Sequence, residues 1–340
     1  MEKPGVTIAD VAELAQVSKM SVSRVLNGQT GVSEATRQRI LEAVDQLGYV
    51  TNPGLRVRSG TSKLIGLLIP EIATTYMGDI LRGVSHTTER LNYGLMLYTQ
   101  SVENQTQRAN HYQSLLNSPL VDGVLMVVPR NYEAIVSDLK AHDLAYVIID
   151  HHSGTANEPS VTATNRKGIL DAMRHLLALG HRRIGFITGR MDIVCSQDRL
   201  QGYRDGLAEV GLSFDPDLVR EGDFSQPTGF QQAQTLVQLK DRPTAIVASN
   251  DVMAFGVMEA AKSVGLQVGS DLSVIGFDDI FMASQVYPTL TTVRQPLSEM
   301  GEVAVDMLVT LLQGRTVLNL RRELPTELII RESTGRIPQR

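Results

Sequence analysis

"VAELAQVSKMSVSRVLNG", Val11 to Gly28, sets two short amphipathic patterns around a tight turn. Thr7 with Asp10 forms a T-x-x-D start, whose hydroxyl satisfies the first unpaired N–H groups of a helix. Ile8, Val11, Ala12 and Ala15 then recur on one helical face. The chain turns through Gln16 and Val17 to Ser18, a good N-cap. A second helix follows with Val22, Val25 and Leu26 inward, and Asn27-Gly28 stops it. A third, from Ser33 to Leu47, buries Ile40, Leu41, Val44 and Leu47, with Gly48 closing it. Helix–turn–helix DNA readers have this layout, and so do many helical hairpins.

The totals bound the choice. The chain has 340 residues, enough for two or three domains at roughly 100–200 residues each. With 42% hydrophobic and 20% charged residues, it has the composition of a soluble globular protein. Cys195 is the only cysteine, which excludes an intrachain disulfide and a cysteine-rich metal cluster. The N-terminus lacks a signal-peptide pattern, and no apolar run reaches the ~18 residues of a membrane span. A cytoplasmic protein without membrane partners is expected. Residues 1–63 carry eight Lys or Arg against six Asp or Glu, a net +2, leaving −7 for the remainder of a chain whose total is −5. A basic head on an acidic body suits local phosphate contact.

From Thr51 to Ser62, "TNPGLRVRSGTS" has linker composition. Beyond it, apolar runs alternate with helical patterns. The expected strands are Leu64–Ile69, Leu95–Tyr98, Gly123–Val128, Ala145–Ile149, Arg183–Ile187, Ala245–Ala248 and Leu272–Ile275. Such alternation predicts right-handed βαβ crossovers and parallel sheets covered on both faces, here as two doubly wound lobes. No glycine-rich phosphate fingerprint or P-loop stands at any strand–helix turn.

In open α/β sheets, ligands sit beyond the carboxyl ends of the strands. Asp150 ends "YVIID", Asn250-Asp251 end "IVASND" and Asp278-Asp279 end "VIGFDD". Tyr76 lies in the loop after Ile69, Arg199 in "SQDRLQGY" and Phe224 in "EGDFS". Carboxylates, an amide and a guanidinium fork beside aromatic faces suit a polyhydroxylated ligand. The competing reading is that strand-end Asp and Asn merely cap the following helices.

Catalysis finds less support. His151 and His152 are adjacent in an extended segment and point to opposite sides, so a surface loop is expected there and not a metal site. His181 stands at a helix-to-strand turn, where a C-terminal histidine or arginine complements the helix dipole. Cys195 has no base partner at fixed spacing and reads as an inert thiol. No catalytic residue, metal ligand or cofactor is assigned.

The order of features resembles the bacterial lactose/galactose repressor family over essentially the full length. The matching stretches are "TIADVAELAQVSKMSVSRVLNG", "VSEATRQRILEAVDQLGYVTNP", "IGLLIPEI" with "ILRGV", "GHRRIGFITG", "DRLQGY", "ASNDVMAFGVMEA", "VIGFDDI", "PTLTTVRQPLSEMGEVAVDML" and "LPTELIIREST". The resemblance implies an α/β chain: a three-helix helix–turn–helix head (1–50), a hinge linker (51–62) and a two-lobed, periplasmic-binding-protein-like domain of doubly wound parallel sheets (63–340). It implies a homodimeric transcriptional regulator, a repressor of carbohydrate-utilisation genes. The partners implied are double-stranded DNA at a near-palindromic operator and a small sugar-like effector.

The resemblance places the second helix in a major groove, with Lys19, Met20 and Arg24 as base-edge candidates and Thr7, Ser18, Ser21 and Asn27 nearer phosphates. In the hinge, "NPGLRVRSG" departs from the family's Ala-Arg-x-Leu, and either Leu55 or Val57 takes the place of its minor-groove wedge. Tyr76, Asp150, Arg199, Phe224, Asn250 and Asp278 match the family's effector positions. Thr164 replaces the usual Asp before Asn165, so the effector's identity is not inherited. Two alternatives remain at this stage: a regulator of the same fold governed by a partner protein, and an α/β sugar-binding protein or enzyme with an incidental helical head.

Overall fold

A computed structural model describes residues 8–26, 31–47, 62–70, 74–99, 120–128, 132–151 and 158–337. Thr7, Asn27, Gly28, Gly48, Leu55, Val57, His152 and the hinge up to residue 61 lie outside the described residues. Contacts divide the chain into two compact units. The first comprises residues 1–68, 88–124 and 131–146, and the second residues 69–87, 125–130 and 147–340.

Within the first unit, the head forms three helices, α1 (Ile8–Leu14), α2 (Lys19–Leu26) and α3 (Glu34–Leu47). Val11, Ala12, Ala15, Val22, Val25 and Ile40 are its core, as the helical spacing requires, joined by Ala43. Leu41, Val44 and Leu47, expected in that core, pack partly buried against it. Gln16 turns the chain with φ 53°. The Ser18 hydroxyl then accepts the Ser21 N–H at 3.1 Å, capping α2.

The remaining strands form two six-stranded sheets, in the orders β11-β5-β4-β3-β1-β2 and β12-β10-β9-β8-β6-β7. Their members are β1 (Leu64–Ile69), β2 (Gly94–Thr99), β3 (Gly123–Val127), β4 (Ala145–Ile149), β5 (Ser160–Ala163), β6 (Ile184–Thr188), β7 (Val219–Glu221), β8 (Ala245–Ala248), β9 (Ser273–Asp278), β10 (Thr291–Arg294), β11 (Arg321–Leu324) and β12 (Glu327–Ile329). Both orders reverse once, between β1 and β3 and between β6 and β8, which are the switch points where doubly wound sheets take ligands. Neighbouring strands of the second sheet run parallel except β12, which lies antiparallel on β10.

Alternation along those strands feeds two cores. Phe186, Val247, Ile275 and Phe277 face the helices Asn165–Ala178 and Val194–Glu209. Ile187, Ile246, Ala248 and Val274 face the helices Gln226–Val237 and Asp251–Ser263. All seven expected strands form, several with ends shifted by one to three residues. Five further strands were not expected: β5, β7, β10, β11 and β12.

Two histidine expectations are corrected. His151 is 8% exposed, a buried residue and not part of a surface loop. His181 is buried too. Its Nδ1 lies 2.8 Å from the Thr244 hydroxyl, and its Nε2 lies 3.0 Å from both the Gly335 carbonyl and the Ser273 hydroxyl. Burial lowers its pKa against the opposing pull of the Gly335 carbonyl, so the ring is a neutral bridge and not a cation on a helix end. That duty falls to Arg182, which donates to the Leu177 carbonyl at 2.9 Å.

Candidate functional site

All the residues of the site belong to the second unit. Tyr76 stands in the first turn of a helix, Thr75–Arg90, and not in a loop as expected, because Thr74 caps that turn by accepting the Met77 N–H at 3.3 Å. From there the Tyr76 hydroxyl donates to Asp150 Oδ2 at 2.7 Å. Asp150 closes β4 with φ 56°, a left-handed conformation that aspartate tolerates better than most side chains.

Arg199 projects from the second turn of the helix Val194–Glu209. Its Nε donates to Asn165 Oδ1 at 2.8 Å, and its Nη1 donates to the Ser249 carbonyl at 2.6 Å. The guanidinium also lies 3.8 Å above the centroid of Phe277, whose ring face favours a cation. The fork thus joins the start of the helix after β5 to the end of β8.

Asp278 ends β9 with φ 113°. It accepts Gln295 Nε2 on Oδ1 at 2.7 Å. Asp150, Asn165, Arg199, Asn250 and Asp278 are each 7% exposed or less. Burial pushes Asp278 up to about 7, while Arg199 and the Gln295 amide pull the other way and Asp150 adds to the rise. Burial likewise raises Asp150, against Arg199, Tyr76 and Asn165. The Tyr76 phenol is raised well above its ordinary value, first by burial and then by Asp150. Cys195, one turn before Arg199, is buried and pushed up to about 12, a neutral and unreactive thiol.

Asn250 does cap a helix, since its Oδ1 accepts the Met253 N–H at 2.9 Å. Its Nδ2 simultaneously holds the Phe224 carbonyl at 3.1 Å, fixing Phe224 at φ 71°. Capping and site-building are therefore one arrangement at this residue. Asp279 takes no comparable place: Arg294 and Arg331 pair with it, each at 2.7 Å.

Tyr76, Asp150 and Asp278 are thus gathered around the buried guanidinium of Arg199, and Asn250 and Phe224 are tied to each other beside Ser249. Sequence reading missed Asn165, Ser249 and Gln295 as partners of this group. It also missed Ser196. Among the described residues, buried Asp150 Oδ1, Ser196 Oγ and Ser249 Oγ have no hydrogen-bond partner. Buried polar atoms are normally paired, so this concentration marks a surface prepared for polar contact. Among the described residues, no group of three or more His, Cys, Asp or Glu has metal-holding geometry, and no helix is long and apolar enough to cross a membrane.

In the head, Lys19, Met20 and Arg24 are exposed, Met20 by 65%. Ser18 and Ser21 are engaged with each other, their hydroxyl oxygens 2.9 Å apart.

Comparison with known proteins follows the same division. The profile of the bacterial regulatory proteins, lacI family, matches residues 7–52, and that of the periplasmic binding protein-like domain matches residues 173–334. The transcriptional repressor CytR of Escherichia coli K12 is 34% identical over 340 residues, covering 99% of this chain and 98% of its own. Catabolite control protein A of Priestia megaterium is 32% identical, covering 97% of this chain and 99% of its own. Among solved structures, a lac repressor dimer bound to operator and the anti-inducer ONPF superimposes with a TM-score of 0.76 at 30% identity, covering 98% of this chain and all of that one. The regulator CelR in complex with cellobiose matches with the same TM-score and identity, covering 97% of this chain. With a helix–turn–helix head, two parallel α/β lobes and transcriptional repressors as full-length relatives, the chain belongs to the LacI family and is a DNA-binding transcriptional regulator, not an enzyme.

Proposed function

We propose that the chain is a cytoplasmic, homodimeric repressor that reads a near-palindromic operator and releases it when a sugar-like effector binds around Arg199. The proposed division is a DNA-binding head over 1–50, a hinge over 51–62 and an effector and dimerisation domain over 63–340. Lys19, Met20 and Arg24 read base edges from the second helix, while Thr7, Ser18, Ser21 and Asn27 hold phosphates and Leu55 or Val57 enters the minor groove. The effector contacts Tyr76, Asp150, Arg199, Phe224, Asn250 and Asp278.

One observation carries the effector reading: Asp150 Oδ1, Ser196 Oγ and Ser249 Oγ are buried and unpartnered around a guanidinium that two protein oxygens already fix. Hydroxyl groups satisfy such atoms, and a sugar presents several at once. The cellobiose complex of CelR and the ONPF complex of lac repressor support a glycoside-sized ligand. An effector alters operator affinity only through differential binding to two arrangements of the lobes.

The test is a thermal-shift screen of sugars and sugar derivatives, followed by operator titration with each compound that raises the melting temperature. A compound that stabilises the chain and lowers operator affinity is expected. If no metabolite alters operator affinity, the effector reading is wrong and control by a partner protein takes its place.

A further inference from the structure

Strand β1 lies between β3 and β2, and the hinge proposed above runs directly into its first residue, Leu64. One side chain grips the two residues before that strand. Asp122, in the bend before β3, accepts the Ser62 N–H and the Ser62 hydroxyl on Oδ1, both at 2.8 Å. Its Oδ2 accepts the Lys63 N–H at 2.7 Å. The Asp122 N–H in turn donates to the Leu64 carbonyl at 2.8 Å, and the Ser62 hydroxyl accepts the Leu64 N–H at 3.2 Å. From the other side, the Gly94 N–H donates to the Lys63 carbonyl at 2.6 Å. A Cβ on residue 94 would stand 2.8 Å from Leu64 Cδ1, so β2 also fits closely here.

The backbone supplies an independent observation. Lys63 has φ 51°, a left-handed conformation that lysine keeps only where its surroundings impose it. Ladder pairing holds β1 from Leu64 onward, and residues 62 and 63 precede it. What holds them is chiefly the carboxylate, whose bonds to N–H and O–H donors are stronger than those between neutral groups. The direction in which the chain departs from the sheet is therefore set at Lys63, by Asp122.

Resting on the reading of paired heads on a near-palindromic operator, we infer that Asp122 is a positioning residue for operator recognition. It fixes where and in which direction each hinge leaves its sheet, and thereby the half-site spacing that two heads span. It touches no DNA and acts through Ser62 and Lys63. Without it, residues 62 and 63 join the hinge and add up to about 7 Å of reach per head. That reach compares with about two base-pair steps of ~3.4 Å. A tether fixed at its root concentrates the second head at one spacing, whereas a longer, looser one spreads it over several.

The experiment uses an operator selected from randomised duplexes with the parent chain, the same operator with its half-sites moved one base pair apart or together, and a single half-site. Fluorescence anisotropy reads the affinities. The parent is expected to lose about tenfold at the altered spacings. Asp122→Ala is expected to shrink that penalty to about threefold or less, with affinity for the single half-site unchanged because the head is untouched. Asp122→Asn keeps one acceptor oxygen and should fall between the two; it carries the test if the alanine variant does not fold. A folded variant that keeps the full spacing penalty overturns the proposal. So does one that loses affinity equally for every duplex, the half-site included, because Asp122 then serves stability alone. A parent chain indifferent to spacing instead removes the reading of paired heads, and the positioning role falls with it.

Discussion

Phe224 lies against Gly189 so closely that a Cβ on residue 189 would stand 2.0 Å from Cζ of the ring. No side chain other than hydrogen fits there while the ring keeps its position. The ring is not free to retreat, because Asn250 holds the Phe224 carbonyl and the backbone sits at φ 71°. Glycine at the end of β6 is thus what lets an aromatic face close over the carboxyl ends of the strands.

Gly189→Ala is accordingly expected to displace the Phe224 ring and to destabilise the chain by about 1–3 kcal/mol, the usual cost of overpacking. Urea denaturation checks it. Unchanged stability would show that the ring moves aside freely.

Asp278 gives a pH dependence with a definite sign. Its folded pKa, about 7, exceeds its ordinary value of 3.8, so the folded chain binds more protons between those two values. Its contribution to stability therefore falls as pH rises from about 4 to about 7. Asp278→Asn removes that loss while retaining an oxygen for Gln295. Thermal melts should show the variant's advantage largest near pH 8 and absent near pH 4. An advantage that is equal at both pH values contradicts the assignment.

On DNA, Lys19→Ala is expected to relax preference at one operator base pair by about 1–3 kcal/mol, as loss of a base-edge contact does. Ser21→Ala should weaken all sequences alike. Fluorescence anisotropy against the operator and its single-base variants separates the two. Equal loss of discrimination in both variants would contradict the division of roles.

Phe281, Met282 and Tyr287 expose 69%, 45% and 92% of their surface within seven residues. The homodimer proposed above is expected to cover this stretch. Tyr287→Asp should shift the chain toward monomer in sedimentation and lower operator affinity with it, because paired heads bind paired half-sites. A variant that remains dimeric moves the interface elsewhere.

The sequence carried the fold where burial was two-sided. "LIGLLI" and "AIVA" are apolar throughout and buried along nearly their whole length, and both lie where they were expected. "VRE" and "RREL" gave no such signal: they are short, polar edge strands whose place is set by their neighbours, as in the pairing of Arg321 with Ser160. Asp150, Arg199 and Asp278 were readable from strand ends and motif order. Asn165 and Gln295 were not, because each acts through a partner distant in sequence, Arg199 for one and Asp278 for the other. The cap of Asn250 was anticipated as a rival to function. Its second bond, to Phe224, depends on a loop conformation that no local pattern encodes.

Operator affinity with and without a stabilising sugar, in the parent chain and in Arg199→Lys, is the most direct measurement. Lysine keeps the charge but loses the fork that holds Asn165 and Ser249 together. The sugar should change operator affinity at least about fivefold in the parent chain. In the variant that response should vanish while affinity without sugar is retained. A response of full size in the variant would mean that Arg199 does not organise the effector site.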